Sequence, residues 1–209
     1  MEISLDHKRN ALETRRVRLR EIHDEDLNVI FQWRNTEKFR FLFHYDESIV
    51  DYEMFCEEFK RDAHARPFQF LIEKRETKEP LGLTFIHSYS EEYHTCFLNL
   101  FLSEPFERKG FGTDAFVLFV LFLFNEVGLK RLFAQASDYN EYSIACIRKG
   151  GMRELIGNIE KKIHKGKEHD ILCFAADETI VPWLSKILKL LTIQKHQQKR
   201  VKLISDNIS

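Results

Sequence analysis

Two glycines one residue apart stand directly before the most apolar stretch of the chain. Glu107, Arg108, Lys109, Gly110, Phe111, Gly112 and Thr113 lead into the run from Ala115 to Phe124. A glycine-rich turn between a strand and a helix leaves several backbone amides aimed outward, with the positive end of the helix dipole behind them. Its chemistry is anion binding, phosphate above all, and the side chains of Arg108 and Lys109 add charge-assisted contacts. By itself a Gly-x-Gly turn is a weak signal, because such turns also close ordinary strands. Farther along, Asn140 and Ser143 open a short helix that closes at Gly150 and Gly151, residue types that cap a helix in any protein.

Groups able to move protons are sparser. His87 stands at the expected end of a strand, and an unperturbed imidazole titrates near neutral pH, which makes it the first candidate for a general base. The bland reading of the same residue is an ordinary turn histidine. Glu91, Glu92 and His94 follow as loop alternatives. Cys56, Cys96, Cys146 and Cys173 are scattered without CxxC spacing, which favours reduced core thiols over disulfides or a zinc site. No metal is expected, and no Ser or Cys nucleophile has a base beside it in the pattern.

The elements that must position these groups follow from hydrophobic periodicity. Arg16 to Arg20 alternates as an edge strand does, and Asp24 and Asp26 cap a helix carrying Leu27, Ile30, Phe31 and Trp33. A second helix is predicted from about Ser48 through Phe59. Strands are predicted at Pro67 to Glu73, Leu81 to Ile86 and Cys96 to Leu102, the first two as a hairpin. After the glycine turn and its helix, Arg131 to Ala136 completes a strand, helix, strand unit of parallel type. Two later strands, about Arg153 to His164 and Glu168 to Ala175, flank the turn at Lys165 to Lys167. Ile180, Val181, Leu184, Ile187, Leu188 and Leu191 then recur at helical spacing. That last helix is expected to dock on the domain or on a second subunit, with membrane-surface contact through Lys186, Lys189, Lys195, Lys199 and Arg200 as the alternative.

With 209 residues, 44% of them hydrophobic, the chain suits one domain plus a terminal appendage. Its 32 basic residues nearly balance 33 acidic ones, so no overall field draws it to nucleic acid. The start has no apolar signal core, and the longest apolar run falls short of the roughly 18 residues that span a bilayer. A cytoplasmic protein with no stable membrane insertion is therefore expected.

The order of strand, glycine turn, apolar helix, strand and asparagine-led helix resembles the GNAT superfamily of acetyltransferases. The closer resemblance is to its RimJ/RimL-like branch, over about Thr14 to Ala176. Leu19-Arg20-Glu21 with Asp24, Asp26 and Trp33-Arg34-Asn35 is similar to that branch's N-terminal signature. Asn140-x-x-Ser143 ending in Gly151-Met152 is similar to its second motif, and Gly166-Lys167-Glu168-His169-Asp170 to its late hairpin. The resemblance implies an α/β fold with a mixed, mostly antiparallel sheet, splayed in the middle, and helices on both faces. It divides the chain into a polar lead (1–13), the acyltransferase domain (14–178) and a C-terminal amphipathic helix with a basic tail (179–209).

For the cofactor, the resemblance implies acetyl-CoA as cosubstrate and no metal. The amides of Arg108, Lys109, Gly110, Phe111, Gly112 and Thr113 would grip its diphosphate. The backbone of Leu100, Phe101 and Leu102, where the strand parts from its neighbour, would pair with the pantetheine arm as an added strand does. Asn140 and Ser143 would contact the same arm. Trp33, Arg34, His44 and Tyr45 would face the acceptor. Two positions depart from the family pattern: Glu107 stands where Arg or Gln is usual, and Ile147 where many members carry a tyrosine acid.

The implied activity is transfer of an acetyl group to a primary amine, either a protein N-terminus or a small amino compound such as an amino sugar. A non-catalytic CoA-binding module is the alternative, and a second copy of the chain is a candidate partner. Only a neutral amine attacks a thioester. A lysine-like amine lies roughly 4–5 kcal/mol from that form at pH 7, and an α-amino group about 1–1.5 kcal/mol.

Overall fold

A computed structural model describes residues 12–43, 51–62, 68–157, 160–164 and 166–193. His44 and Tyr45 lie outside the described residues, as do most of the polar lead and the basic tail. The strands are β1 (Val17–Arg20), β2 (Phe70–Lys74), β3 (Pro80–Ser90), β4 (Thr95–Leu102), β5 (Arg131–Ser137), β6 (Arg153–Glu154), β7 (Glu160–His164) and β8 (Lys167–Asp177). They form one sheet in the order β1-β2-β3-β4-β5-β8-β6, with β7 also paired to β8. Of these pairings β4 with β5 is parallel and the others are antiparallel. The helices are α1 (Leu27–Arg34), α2 (Glu37–Leu42), α3 (Tyr52–Asp62), α4 (Phe111–Asn125), α5 (Glu141–Lys149) and α6 (Val181–Thr192).

Because strand side chains alternate between faces, the sheet has two cores. On one face Val17, Ile72, Leu98 and Leu132 pack with Phe116 and Phe119 of α4, Ile147 of α5 and Leu184 of α6. On the other, Leu71, Leu83 and Phe101 pack with Leu27, Ile30 and Trp33 of α1, Phe39 of α2 and Phe55 of α3. Helices on both faces of a mixed, mostly antiparallel sheet are the architecture implied by the sequence. Among the described residues no helix is long and apolar enough to cross a membrane.

The sheet opens where the glycine turn needs it to. Parallel pairing joins Thr95–Leu98 to Arg131–Ala134 and stops there. Beyond that point β4 stays with β3 through Leu102, while β5 stays with β8 through Ser137. The two central strands therefore part over Asn99–Leu102, with the α4 turn on one side of the gap.

Several sequence expectations change. Helix α2 was not anticipated; the Thr36 hydroxyl caps it by accepting the Phe39 amide at 3.2 Å. The single strand expected over 153–164 is two strands, interrupted near Gly157, whose φ is +145°. His87 is not at the end of its strand, since β3 continues to Ser90 past an irregularity after His87. The start expected for α3 near Ser48 lies outside the described residues. Helix α6 turns its apolar stripe onto α4, with Leu184 fully buried.

Candidate active site

The turn before α4 is held from below by one arginine. Arg16, entering β1, donates from Nη1 to the Lys109 carbonyl and from Nη2 to the Gly110 carbonyl, each at 3.1 Å. The same guanidinium grips the carboxylate of Asp114 in the first turn of α4, with Nε 3.2 Å from Oδ2 and Nη2 on Oδ1. Asp114 is completely buried, and the Thr14 hydroxyl donates to it at 2.7 Å. In a trans peptide the N–H points opposite to the C=O. Drawing the two carbonyls onto Arg16 therefore turns the amides of Gly110 and Phe111 the other way, outward. The amides ahead of Asp114 have no carbonyl four residues back inside the helix; Asp114 makes the first such bond, to Gly110. A buried carboxylate near an anion site is repulsive unless neutralised, and Arg16 neutralises it.

Gly110 is set by its backbone conformation, and Gly112 sits close under the tip of a leucine side chain. Gly110 has φ +83°, and a Cβ there would sit 3.0 Å from the Arg16 guanidinium. At Gly112 a Cβ would meet Leu102 Cδ1 at 3.3 Å. Arg108 also takes a left-handed conformation, φ +58°, and its guanidinium lies 4.4 Å from the centroid of Tyr142, on α5. Lys109 is exposed.

Glu107, the residue at odds with the family pattern, pairs with Lys38 of α2. Lys38 donates to the Leu102 carbonyl at 2.9 Å and lies 5.2 Å from the Phe101 ring centroid. The Ser103 amide bonds back to Leu81 of β3, so the Leu102 carbonyl faces the gap. Burial pushes the Lys38 ammonium down to about 8 against the pull of nearby Glu104. On the far side of the gap Asn140 caps α5, its Oδ1 accepting the Ser143 amide at 3.2 Å. Ile147 is buried and carries no proton.

On the α2 face the parting strands enclose a cavity of about 270 Å³ lined by residues including Phe41, Phe43, Phe85, His87, Phe97, Asn99, Gln135, Ser137 and Lys162. His87 and Asn99 point into it together, His87 Nδ1 lying 2.5 Å from the Asn99 side-chain amide. The imidazole stacks on Phe97, with centroids 5.2 Å apart. Lys162, from β7, donates to the Phe41 carbonyl at 2.6 Å and ties the β7–β8 hairpin to the end of α2. At the rim the Asp138 carboxylate accepts from the Asp170 amide and pairs with His169 Nδ1 at 2.9 Å.

The sequence-predicted residues thus divide. Arg108 to Thr113, Leu100 to Leu102, Asn140 and Ser143 border one gap, and His87 lines the cavity beneath it. Trp33 and Arg34 do not join them: both are buried, and Trp33 packs on Phe101 at 5.7 Å in the second core. Arg16, Asp114, Lys38 and Lys162 were missed. A lone acid opening an otherwise apolar helix was a usable signal for Asp114; nothing local marks Lys38 or Lys162. Burial pushes the Cys96 thiol up to about 12 and raises Cys146 and Cys173 as well.

Solved structures share this fold. The spermidine N-acetyltransferase of Vibrio cholerae in complex with CoA and spermine superposes with a TM-score of 0.71 at 15% identity, covering 79% of this chain and 98% of that one. A GNAT-family acetyltransferase from Bacillus anthracis gives 0.66 at 20% identity, covering 80% and 98%. A putative ribosomal-protein-serine acetyltransferase from Vibrio cholerae gives 0.61 at 19%, covering 80% and 97%. At these identities the likeness is one of fold. In sequence, the chain is 26% identical over 149 residues to the uncharacterized N-acetyltransferase YoaA of Bacillus subtilis (strain 168), covering 68% of this chain and 82% of that protein. Residues 16–153 match the acetyltransferase (GNAT) domain. That match takes in the Arg16 anchor, the glycine turn, both sides of the gap and the α5 cap, and by it the chain belongs to the GNAT acetyltransferase family.

Proposed function

We propose that the protein transfers an acetyl group from acetyl-CoA to a primary amine by direct attack in a ternary complex, on the RimJ/RimL-like branch of the family. The observation that carries this reading is the shared gap. Outward amides at Gly110 and Phe111, a Leu102 carbonyl facing the gap and the Asn140 cap border it, and the His87 cavity opens beneath it. Acetyl-CoA supplies an activated thioester when bound. The turn amides and the Arg108 and Lys109 side chains hold its diphosphate. Leu100 to Leu102 and Asn140 with Ser143 hold the amide-bearing arm, once Lys38 yields the Leu102 carbonyl.

From the opposite face the acceptor amine reaches the thioester carbon. His87 takes the proton that the nitrogen sheds as the C–N bond forms and the C–S bond breaks, and the electron pair leaves on sulfur. This role calls for the tautomer with the proton on Nδ1, in which Asn99 turns its amide oxygen to the ring and Nε2 accepts. With Ile147 buried and aprotic, the departing thiolate is protonated from solvent. The elevated cysteine thiols favour direct transfer over an acyl-cysteine. In this reading residues 14–178 form the transferase unit, the C-terminal helix buttresses it, and the setting is the cytoplasm. The acceptor is a protein N-terminus or a small amino compound, and the chain is able to pair with a second copy.

Calorimetric titration with acetyl-CoA, followed by mass spectrometry of products from peptide, sugar and polyamine acceptors, tests the proposal. Binding with acetylated product supports it. Binding without product from any amine leaves a CoA-binding module, and no binding removes the reading altogether.

A further inference from the structure

We infer that Tyr142 is a stacking platform for the nucleoside of the acyl donor, so that the protein selects a nucleotide-bearing acyl-CoA over the same acylated arm on a carrier protein; the inference rests on the acetyl transfer proposed above. Tyr142 and Cys146 of α5 and the Gly150 that closes it fall four residues apart, on one face of the helix. That face runs along α4 toward its turn. A Cβ on Gly150 would overlap the Phe116 ring at 2.1 Å, and Cys146 Sγ lies 3.9 Å from Thr113 Oγ1. One step further out, Tyr142 is beyond the start of α4 and meets the turn itself, with the Arg108 guanidinium 4.4 Å from its ring centroid.

The ring is 59% exposed, whereas Ile144 and Ile147 of the same helix are buried. An aromatic side chain left largely in water beside an anion site offers its face to a ligand. Phe106 and Phe111 also stand next to the turn, but both pack against the first core, and the Arg16 guanidinium lies 5.6 Å from the Phe111 centroid.

The covalent order of the donor decides what reaches Tyr142. A diphosphate held by the turn carries two ester arms. The acylated arm enters the gap along Leu100 to Leu102, so the other leaves over the exposed rim of Arg108, Lys109 and Gly110, where Tyr142 stands. In an acyl-CoA that second arm is an adenosine. On a carrier protein the acylated arm ends in a single phosphate on a serine, and no flat group follows. Every base has a π face that stacks on an aromatic side chain. An exposed cation–π contact is weak beside a charge-assisted bond to phosphate. Donor binding therefore exchanges partners: the Arg108 guanidinium goes to the diphosphate, and the purine takes the Tyr142 face. Tyr142 is a specificity residue for the donor and takes no part in making or breaking the acyl bond.

The test uses the full chain, an amine that the wild type acetylates, and two donors competing in one tube. One is acetyl-CoA; the other is S-acetyl-4′-phosphopantetheine, which keeps the acylated arm and one phosphate and lacks the nucleoside. Mass spectrometry of the two released thiols gives the ratio of kcat/KM directly. The wild type should favour acetyl-CoA by at least tenfold. A stacked base is worth roughly five- to hundredfold in affinity, so Tyr142→Ala and Tyr142→Leu should each lower that ratio at least fivefold. Tyr142→Phe keeps the face and should leave the ratio within twofold. The leucine variant retains an apolar side chain, so it reports even where Tyr142→Ala loses stability, and damage to the fold alone would slow both donors and leave the ratio unmoved. A wild-type preference below tenfold, a ratio unmoved in Tyr142→Leu, or a drop in Tyr142→Phe as large as in Tyr142→Leu overturns the platform and leaves acetyl transfer standing. Absence of product from both donors with every amine overturns the proposed function itself.

Discussion

Arg16 and Asp114, 98 residues apart in the chain, meet as a two-point ion pair beneath the glycine turn. The partner on the helix is fully buried, while the arginine side chain is 35% exposed. Removing the arginine leaves a carboxylate in the core with Thr14 as its side-chain donor and releases the carbonyls of Lys109 and Gly110. Breaking a buried pair typically costs about 3–5 kcal/mol, and the exposure of Arg16 places Arg16→Ala near the lower end. Urea denaturation checks the stability. Titration with acetyl-CoA should show at least a tenfold weaker Kd in the variant at a temperature where it remains folded. Unchanged affinity would separate the pair from the anion site.

The glycines are tested by charge and by shape. Gly110→Glu and Gly112→Glu each set a carboxylate among amides meant for a diphosphate, and acetyl-CoA binding should be abolished in both. Gly110→Ala carries the cost of a left-handed alanine, about 1 kcal/mol, plus a small displacement of the Arg16 guanidinium, which its Cβ would meet at 3.0 Å, and should keep measurable affinity. Tight binding retained by both glutamate variants would contradict the anion-site assignment.

The site was legible where its signal was local. A strand, a glycine pair and an apolar helix follow one another within about 30 residues, so the turn and the parallel unit were readable from spacing alone. Helix α2 was not, because its six residues, Glu37–Leu42, are too few to show a helical period, and the Thr36 cap together with the packing of Phe39 on Phe101 and Phe43 on Phe85 fixes the segment. Glu107 departs from the family pattern, and its partner Lys38 comes from that unforeseen helix. Pairs of this sort join residues far apart in the chain, and no window of the sequence contains both.

His87 carries the base assignment. In His87→Ala, kcat should fall by about 10²-fold or more, the lower end of what general base catalysis contributes, while the acetyl-CoA Kd stays within twofold. Steady-state kinetics with the best acceptor from the panel provides the measurement. A loss smaller than threefold would move the proton to solvent and leave His87 as part of the cavity wall.

The C-terminal helix buttresses the core. Leu184 is fully buried against α4, and Trp183 Nε1 donates to the Lys149 carbonyl at 3.1 Å. Leu184→Ala should cost about 2–5 kcal/mol, lowering the Tm of a chain this size by roughly 5–15 °C. A melting point within 2 °C of the wild type would show that α6 is dispensable to the core and available for another surface.

Burial of Lys38 makes stability rise with pH, an effect that its ion pair with Glu107 opposes. Burial holds its folded pKa at about 8 against an ordinary value of 10.5. Between those values the unfolded chain binds more protons than the folded one, so by linkage this residue makes stability rise with pH. The penalty is complete below about 8 and is relieved as pH approaches 10.5. Cys96 opposes it, because its raised thiol favours the folded state below about 9 and loses that contribution above. Comparing wild type with Lys38→Met cancels the cysteine. The unfolding free energy of the wild type, less that of Lys38→Met, should climb between pH 7.5 and 10 in urea titrations. The climb should be smaller than the full shift implies, since the side chain is 37% exposed. A flat difference across that window would mean that the ammonium is fully solvated. In that case the bond from Lys38 to the Leu102 carbonyl does not guard the gap.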